Sequence, residues 1–128
     1  MSNILFKSPA IDLLWYEYNV VFVICTQILD ALKELNLQWD GEESGWEGAT
    51  IWTGSTVYCL VNEDSNKRTV LHEAIHAINK IRFTVYSEVD LQKDETYVRE
   101  VSWLQDKMLD MWEDYFLHEA LKKEGLEK

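Results

Sequence analysis

The stretch Thr69-Val70-Leu71-His72-Glu73-Ala74-Ile75-His76-Ala77-Ile78 decides how the chain is read, because two histidines four residues apart share it with an apolar set at helical spacing. Val70, Leu71, Ala74, Ile75, Ile78 and Ile81 recur at three- and four-residue steps, and Asn62 to Asn66 before them offers several capping side chains. A helix is therefore expected from about Lys67 to Arg82. At about 100° per residue, the face of Leu71, Ala74, Ile75 and Ile78 centres roughly 120–160° around the axis from the histidines. One side of this helix can enter a core while the other shows both imidazoles to a cleft.

Working outward, Ile51-Trp52 and Thr56-Val57-Tyr58-Cys59-Leu60-Val61 are rich in β-branched and aromatic residues, and Thr53-Gly54-Ser55 between them has turn chemistry. This predicts an antiparallel β-hairpin. Gln38 to Thr50 holds Gly41, Gly45 and Gly48 among Trp39, Glu42, Glu43 and Trp46, a composition that breaks helical periodicity and reads as a loop able to act as a flap. Further upstream, Ser8-Pro9 is a helix-start signal. Ile11, Leu14, Trp15, Tyr18, Phe22, Cys25, Leu29 and Leu32 follow at three- and four-residue steps, predicting one long N-terminal helix to about Leu35. Downstream, Phe83 to Lys93 mixes extended and loop signals. A last helix is expected from near Asp94 on the stripe Val98, Val101, Met108, Trp112 and Tyr115, with the tail at 122–128 fraying. The expected fold class is α+β, a single domain over 1–128: long N-terminal helix, short hairpin, central helix and C-terminal helix around one core.

With 128 residues, 47% of them apolar and 27% charged, the chain has the balance of a folded globular protein and is too apolar for a disordered one. Twelve Lys and Arg against 23 Asp and Glu give a net charge of −11, which repels phosphate backbones and anionic lipid and so excludes nucleic acid and membrane surfaces as expected partners. Val20 to Cys25 is the most apolar window and is far shorter than the ~20 residues a bilayer span needs. Met1 to Lys7 lacks the basic, apolar and small-residue succession of an export signal. Two cysteines, Cys25 and Cys59, sit in apolar segments and fit a reducing cytoplasm better than a disulfide scaffold.

His72-Glu73-Ala74-Ile75-His76 matches the His-Glu-x-x-His pattern. Histidines at i and i+4 present their imidazoles from successive turns to one ion, and Glu73, about 60° around the helix from His76, stands beside that ion without being an obligatory ligand. The competing structural reading is a pair of surface histidines with Glu73 in an ordinary helical charge contact. His118-Glu119-Ala120-Leu121-Lys122 begins the same way and ends in Lys, so it lacks the pair. A catalytic zinc needs a third protein ligand. Glu95 at the start of the last helix leads, with Glu100 next and Asp94, Glu88, Asp90 and His118 remaining. Tyr97, Tyr86, Tyr58 and Arg82 are the candidate donors to a developing oxyanion. Cys25 and Cys59 read as core residues, not nucleophiles.

The chain resembles the gluzincins, and in particular small phage-associated zincin-like metallopeptidases. The resemblance rests on Val57 to Val61, Thr69 to Ile78 and Asp94-Glu95-x-x-Val98-x-x-Val101, and covers about the last 70 residues. It implies a minimal zincin-like domain, zinc held by His72, His76 and Glu95, and Glu73 as general base. It further implies a strand at the sheet edge, here Thr56 to Val61, along which an extended peptide pairs. A phage origin would place the protein in the host cytoplasm. Hydrolysis of a peptide bond in a protein or peptide substrate is the activity so implied. The alternative is a non-catalytic zinc-binding or inhibitor protein that keeps the scaffold and docks a host protein through its acidic surface and the tryptophans Trp39, Trp46 and Trp52.

Overall fold

Val20, Val21, Phe22, Val23, Ile24 and Cys25 form a run of β-branched and apolar residues with no polar face, the pattern of a strand covered on both sides. In a computed structural model, which describes residues 2–13, 17–38, 47–85 and 95–125 and omits the side chains of 83–85 and 95–96, this run is the central strand of a five-stranded sheet. The elements are β1 (Ile4–Lys7), β2 (Ile11–Leu13), β3 (Tyr18–Cys25), α1 (Ile28–Glu34), β4 (Gly48–Thr53), β5 (Thr56–Asn62), α2 (Lys67–Val85) and α3 (Glu95–Lys123). The strand order is β1-β3-β5-β4, and β2 pairs with β3 beside β1. β3 and β5 run parallel, and the other pairings are antiparallel.

The long N-terminal helix expected from Ser8 to Leu35 is not formed; among the described residues of that span, Ile28–Glu34 alone is helical. Ser8 caps nothing. Its amide donates to the Phe22 carbonyl at 2.8 Å and its Oγ accepts from the Phe22 amide at 2.9 Å, joining β1 and β2 to the flank of β3. The helical spacing in the sequence arose from two short strands and one strand buried on both faces, where apolar residues are dense enough to satisfy a period of 3.6 as well as 2. Leu14 and Trp15, counted in that stripe, lie outside the described residues.

Alternation along β3 divides the core. Val20, Phe22 and Ile24 join Val57, Cys59 and Val61 of β5 under α2 and α3, while Val21, Val23 and Cys25 join Ala49, Ile51 and Leu60 under α1. The sheet is thus the middle of three layers, an α+β arrangement.

The hairpin forms where expected. Thr53 pairs with Thr56, leaving Gly54 and Ser55 as a two-residue turn with positive φ at Gly54 (59°). A positive φ at the first turn position alone is the signature of a type II′ turn, which favours glycine there. Gly48 to Thr50, expected in the preceding loop, belong to β4, whereas 39–46 lie outside the described residues.

α2 begins as predicted: the Asn66 Oδ1 accepts from the Thr69 amide at 3.1 Å, satisfying one of the first orphan donors. α3 runs to Lys123, two residues beyond the expected fraying point, and Gly125 follows with φ 74°. The two helices are antiparallel, tied by Lys67 to Glu113 at 3.2 Å, by Gln105 Nε2 donating to the Leu71 carbonyl at 3.1 Å, and by Arg82 to Glu100 at 3.7 Å. No helix among the described residues is long and apolar enough to cross a membrane.

Candidate functional site

α2 packs on the sheet with Val70, Ala74, Ala77, Ile78 and Ile81 buried, and its opposite face, exposed among the described residues, carries His72 and His76. The two Nε2 atoms lie 2.9 Å apart, with ring centroids 4.4 Å apart and planes at 84°. A tetrahedral zinc with Zn–N near 2.0–2.1 Å sets its ligand nitrogens about 3.3 Å apart, so a small ring rotation brings the pair to ligand spacing. The donor set, two neutral imidazoles converging from successive turns, fits zinc chemically. Among the described residues, no third His, Cys, Asp or Glu joins them in a cluster able to hold a metal.

Glu73 is not the surface charge of the competing reading. It is 5% exposed and turned toward β4, where its Oε1 accepts from the Thr50 hydroxyl at 2.7 Å. A Cβ at position 48 would stand 2.9 Å from the Glu73 Oε2 and 2.9 Å from the Thr69 Cγ2, so glycine there lets the strand close on the carboxylate. Thr50 and Gly48, which adjoin the Glu73 carboxylate, are members of the candidate site that the sequence reading missed. Their only signal was a polar residue between the buried Ala49 and Ile51, with a glycine two positions earlier on the same side of the strand.

The strand expected at the edge, Thr56 to Val61, is interior: β5 is paired with β3 on one side and β4 on the other. Val57, Cys59, Leu60 and Val61 are fully buried, as an interior strand requires. The edge beside α2 is β4. Because the turn closes at Thr53 and Thr56, the hydrogen-bonded pairs are 53 with 56, 51 with 58 and 49 with 60, and the Asn62 amide on the Glu47 carbonyl at 2.9 Å continues that register. Gly48, Thr50 and Trp52 therefore turn their own N–H and C=O groups away from β5, and no described strand pairs with them.

Glu95 opens α3, and its side chain lies outside the described residues, as do Asp94, Glu88, Asp90 and Tyr86. Glu100 is 3% exposed and faces the equally buried Arg82. That pairing engages both the second candidate ligand and one candidate oxyanion donor. The Arg82 guanidinium also lies over the ring of Tyr97, 5.5 Å from its centroid. Tyr58 packs in the cluster on the α1 side of the sheet, away from the histidines. His118 lies more than a turn past Glu113, the partner of Lys67 at the start of α2, and lines a cavity against Leu5 and Phe6 of β1. The neighbouring Glu119 makes an ordinary i,i+3 contact with Lys122 at 3.6 Å, as befits an incomplete motif.

The cysteines are core residues. Cys59 Sγ donates to the Glu73 carbonyl at 3.7 Å and Cys25 Sγ to the Val61 carbonyl at 3.5 Å. Burial, then the charge of Glu63, pushes the Cys25 thiol up to about 12. Burial, then the charge of Glu73, pushes Cys59 higher still, against a hydrogen bond with Thr50. Trp52, the one described tryptophan of the acidic, aromatic region, is exposed at the hairpin end, donates to the Gly54 carbonyl and packs edge-on against Tyr18 at 6.2 Å. Trp39 and Trp46 lie outside the described residues. Comparison of the chain with protein-family models, curated proteins and solved structures finds no match to any of them.

Proposed function

We propose that the protein is a zinc-dependent peptidase of the zincin type, with His72 and His76 as two ligands, Glu95 as the third and Glu73 as general base. The observation that supports it is the convergence of two exposed Nε2 atoms to 2.9 Å on the face of α2 that flanks a buried, hydroxyl-held carboxylate. Zinc, which His72, His76 and Glu95 would hold, would supply Lewis-acid polarisation of the scissile carbonyl and of the attacking water.

The chain's own groups do the rest. Thr50 occupies the Glu73 Oε1, so Oε2, beside the missing Cβ of Gly48, is the oxygen that receives a proton from the attacking water and passes it to the departing amide nitrogen. The outward amides and carbonyls of Gly48, Thr50 and Trp52 hold an extended substrate backbone against β4 in place of the Thr56 to Val61 strand. Gly48 lies against Thr69 and Thr50 against Glu73, so a substrate on that edge runs along α2 past the histidines.

Elemental analysis tests the reading first: about one zinc per chain is expected, retained in Glu73→Gln and Glu100→Ala and lost in Glu95→Ala. Cleavage of unfolded casein should fall by about 10²–10⁴-fold in Glu73→Gln. Absence of zinc on purification and on titration would overturn it.

A further inference from the structure

Alternation divides the side chains of β4. Ala49 and Ile51 are buried on the α1 side of the sheet, so Gly48, Thr50 and Trp52 share the α2 side. Trp52 accordingly packs edge-on against Tyr18, a residue of the core under α2 and α3, with the two ring centroids 6.2 Å apart. Along this face β4 and α2 keep one register: position 48 lies against Thr69 and Thr50 against Glu73, two residues of strand for four of helix. Those steps are about 6.8 Å and about 6 Å long, so Trp52 falls level with Ala77, the residue after His76.

Of the large apolar side chains exposed among the described residues, Val98 and Leu117 stand on α3 and Trp52, 38% exposed, stands on the sheet. Its indole is nevertheless held. Nε1 donates to the Gly54 carbonyl of the same hairpin and the ring rests on Tyr18, so the side chain has already given up freedom that a bound partner would otherwise have to remove. We propose that Trp52, backed by Tyr18, determines specificity: it selects peptides with an aromatic or large aliphatic side chain at one fixed position beside the cut bond. The proposal rests on the peptidase reading for the placement of the peptide along β4. Trp52 turns its own N–H and C=O outward, so a peptide residue opposite it forms a hydrogen-bonded pair. Directly paired residues send their side chains to the same face with Cβ atoms about 5 Å apart, which brings the peptide side chain onto the indole. The peptide residue opposite Thr50 lies beside Glu73, and the selected residue is two positions from it. The residue between them points to the other face and is not read by this wall.

The test presents the protein, with zinc, with blocked decapeptides randomised at their central positions and reads the cut sites by mass spectrometry. Phe, Tyr, Trp, Leu and Met together should be enriched at least ~5-fold at one position within two residues of the bond. Trp52→Ala, its fold checked by circular dichroism, should bring that enrichment below ~2-fold, and Trp52→Phe should keep most of it. A merely structural Trp52 would instead lower the cleavage of all peptides alike. In parallel, Glu73→Gln protein with zinc is titrated by calorimetry with an Ala-rich blocked decapeptide and its single-Phe counterpart. The Phe peptide should bind about 10-fold tighter, a gap that adding Trp52→Ala closes. A flat cleavage profile, an enrichment that survives Trp52→Ala, or equal binding of the two decapeptides would overturn the proposal. Wild-type protein that binds the Phe peptide through Trp52 and cuts nothing would remove the peptidase reading and leave this selection standing; cleavage with no apolar preference would do the opposite.

Discussion

Replacing Thr50 by Val removes a hydroxyl from β4 and keeps its branched shape, so the change isolates the bond to Glu73. A buried carboxylate oxygen that loses its donor costs about 1–3 kcal/mol, which urea unfolding would read as a lower midpoint at constant slope. Thr50→Ser should recover most of that loss. His72, Glu73 and His76 were readable from spacing alone because a helix fixes the directions of residues three and four apart. Thr50 was not, since a polar residue in a strand does not reveal which helix face will lie opposite. Gly48 was read as part of a loop, and its role depends on a carboxylate 25 positions further along the chain.

Among the elements, α2 and the hairpin were legible because each satisfies one period and carries its own punctuation, Asn66 at the helix start and Gly54 in the turn. The first 35 residues were misread for a physical reason: a strand covered on both faces loses the alternation that separates it from a helix, and only its Val and Ile content remains as a signal. The contact between α2 and α3 could not be read either, because nothing in the spacing shows that Arg82, a candidate oxyanion donor, and Glu100, a candidate ligand, are buried against each other. Removing one partner, as in Arg82→Met, strands a buried charge and should cost about 3–5 kcal/mol, whereas Arg82→Met combined with Glu100→Leu should recover much of it. Thermal unfolding of the two singles and the double measures this coupling directly.

At the scale of the whole molecule, both thiols lie in the layers on either side of the sheet, Cys59 beneath α2 and Cys25 on the α1 side. Neither should react with a disulfide reagent near pH ~8 in the native protein, and both should react in denaturant, which makes thiol labelling a report of unfolding. The sign for stability follows from the raised values. An acid whose folded pKa exceeds its ordinary one contributes in full below the ordinary value, 9.0 for a thiol, and loses that contribution as the pH climbs toward about 12 for Cys25. Unfolding midpoints measured in rising alkali should therefore decline across that interval.

The parallel pairing of β3 with β5 makes the second half of the chain depend on the first. A fragment beginning at Thr56 would spell out the entire histidine signature. It would also bare the margin of β5 that β3 normally covers, and it would lack the hydroxyl that steadies Glu73. The signature can be copied into another protein as letters; as a working part it cannot be lifted out without the sheet that precedes it.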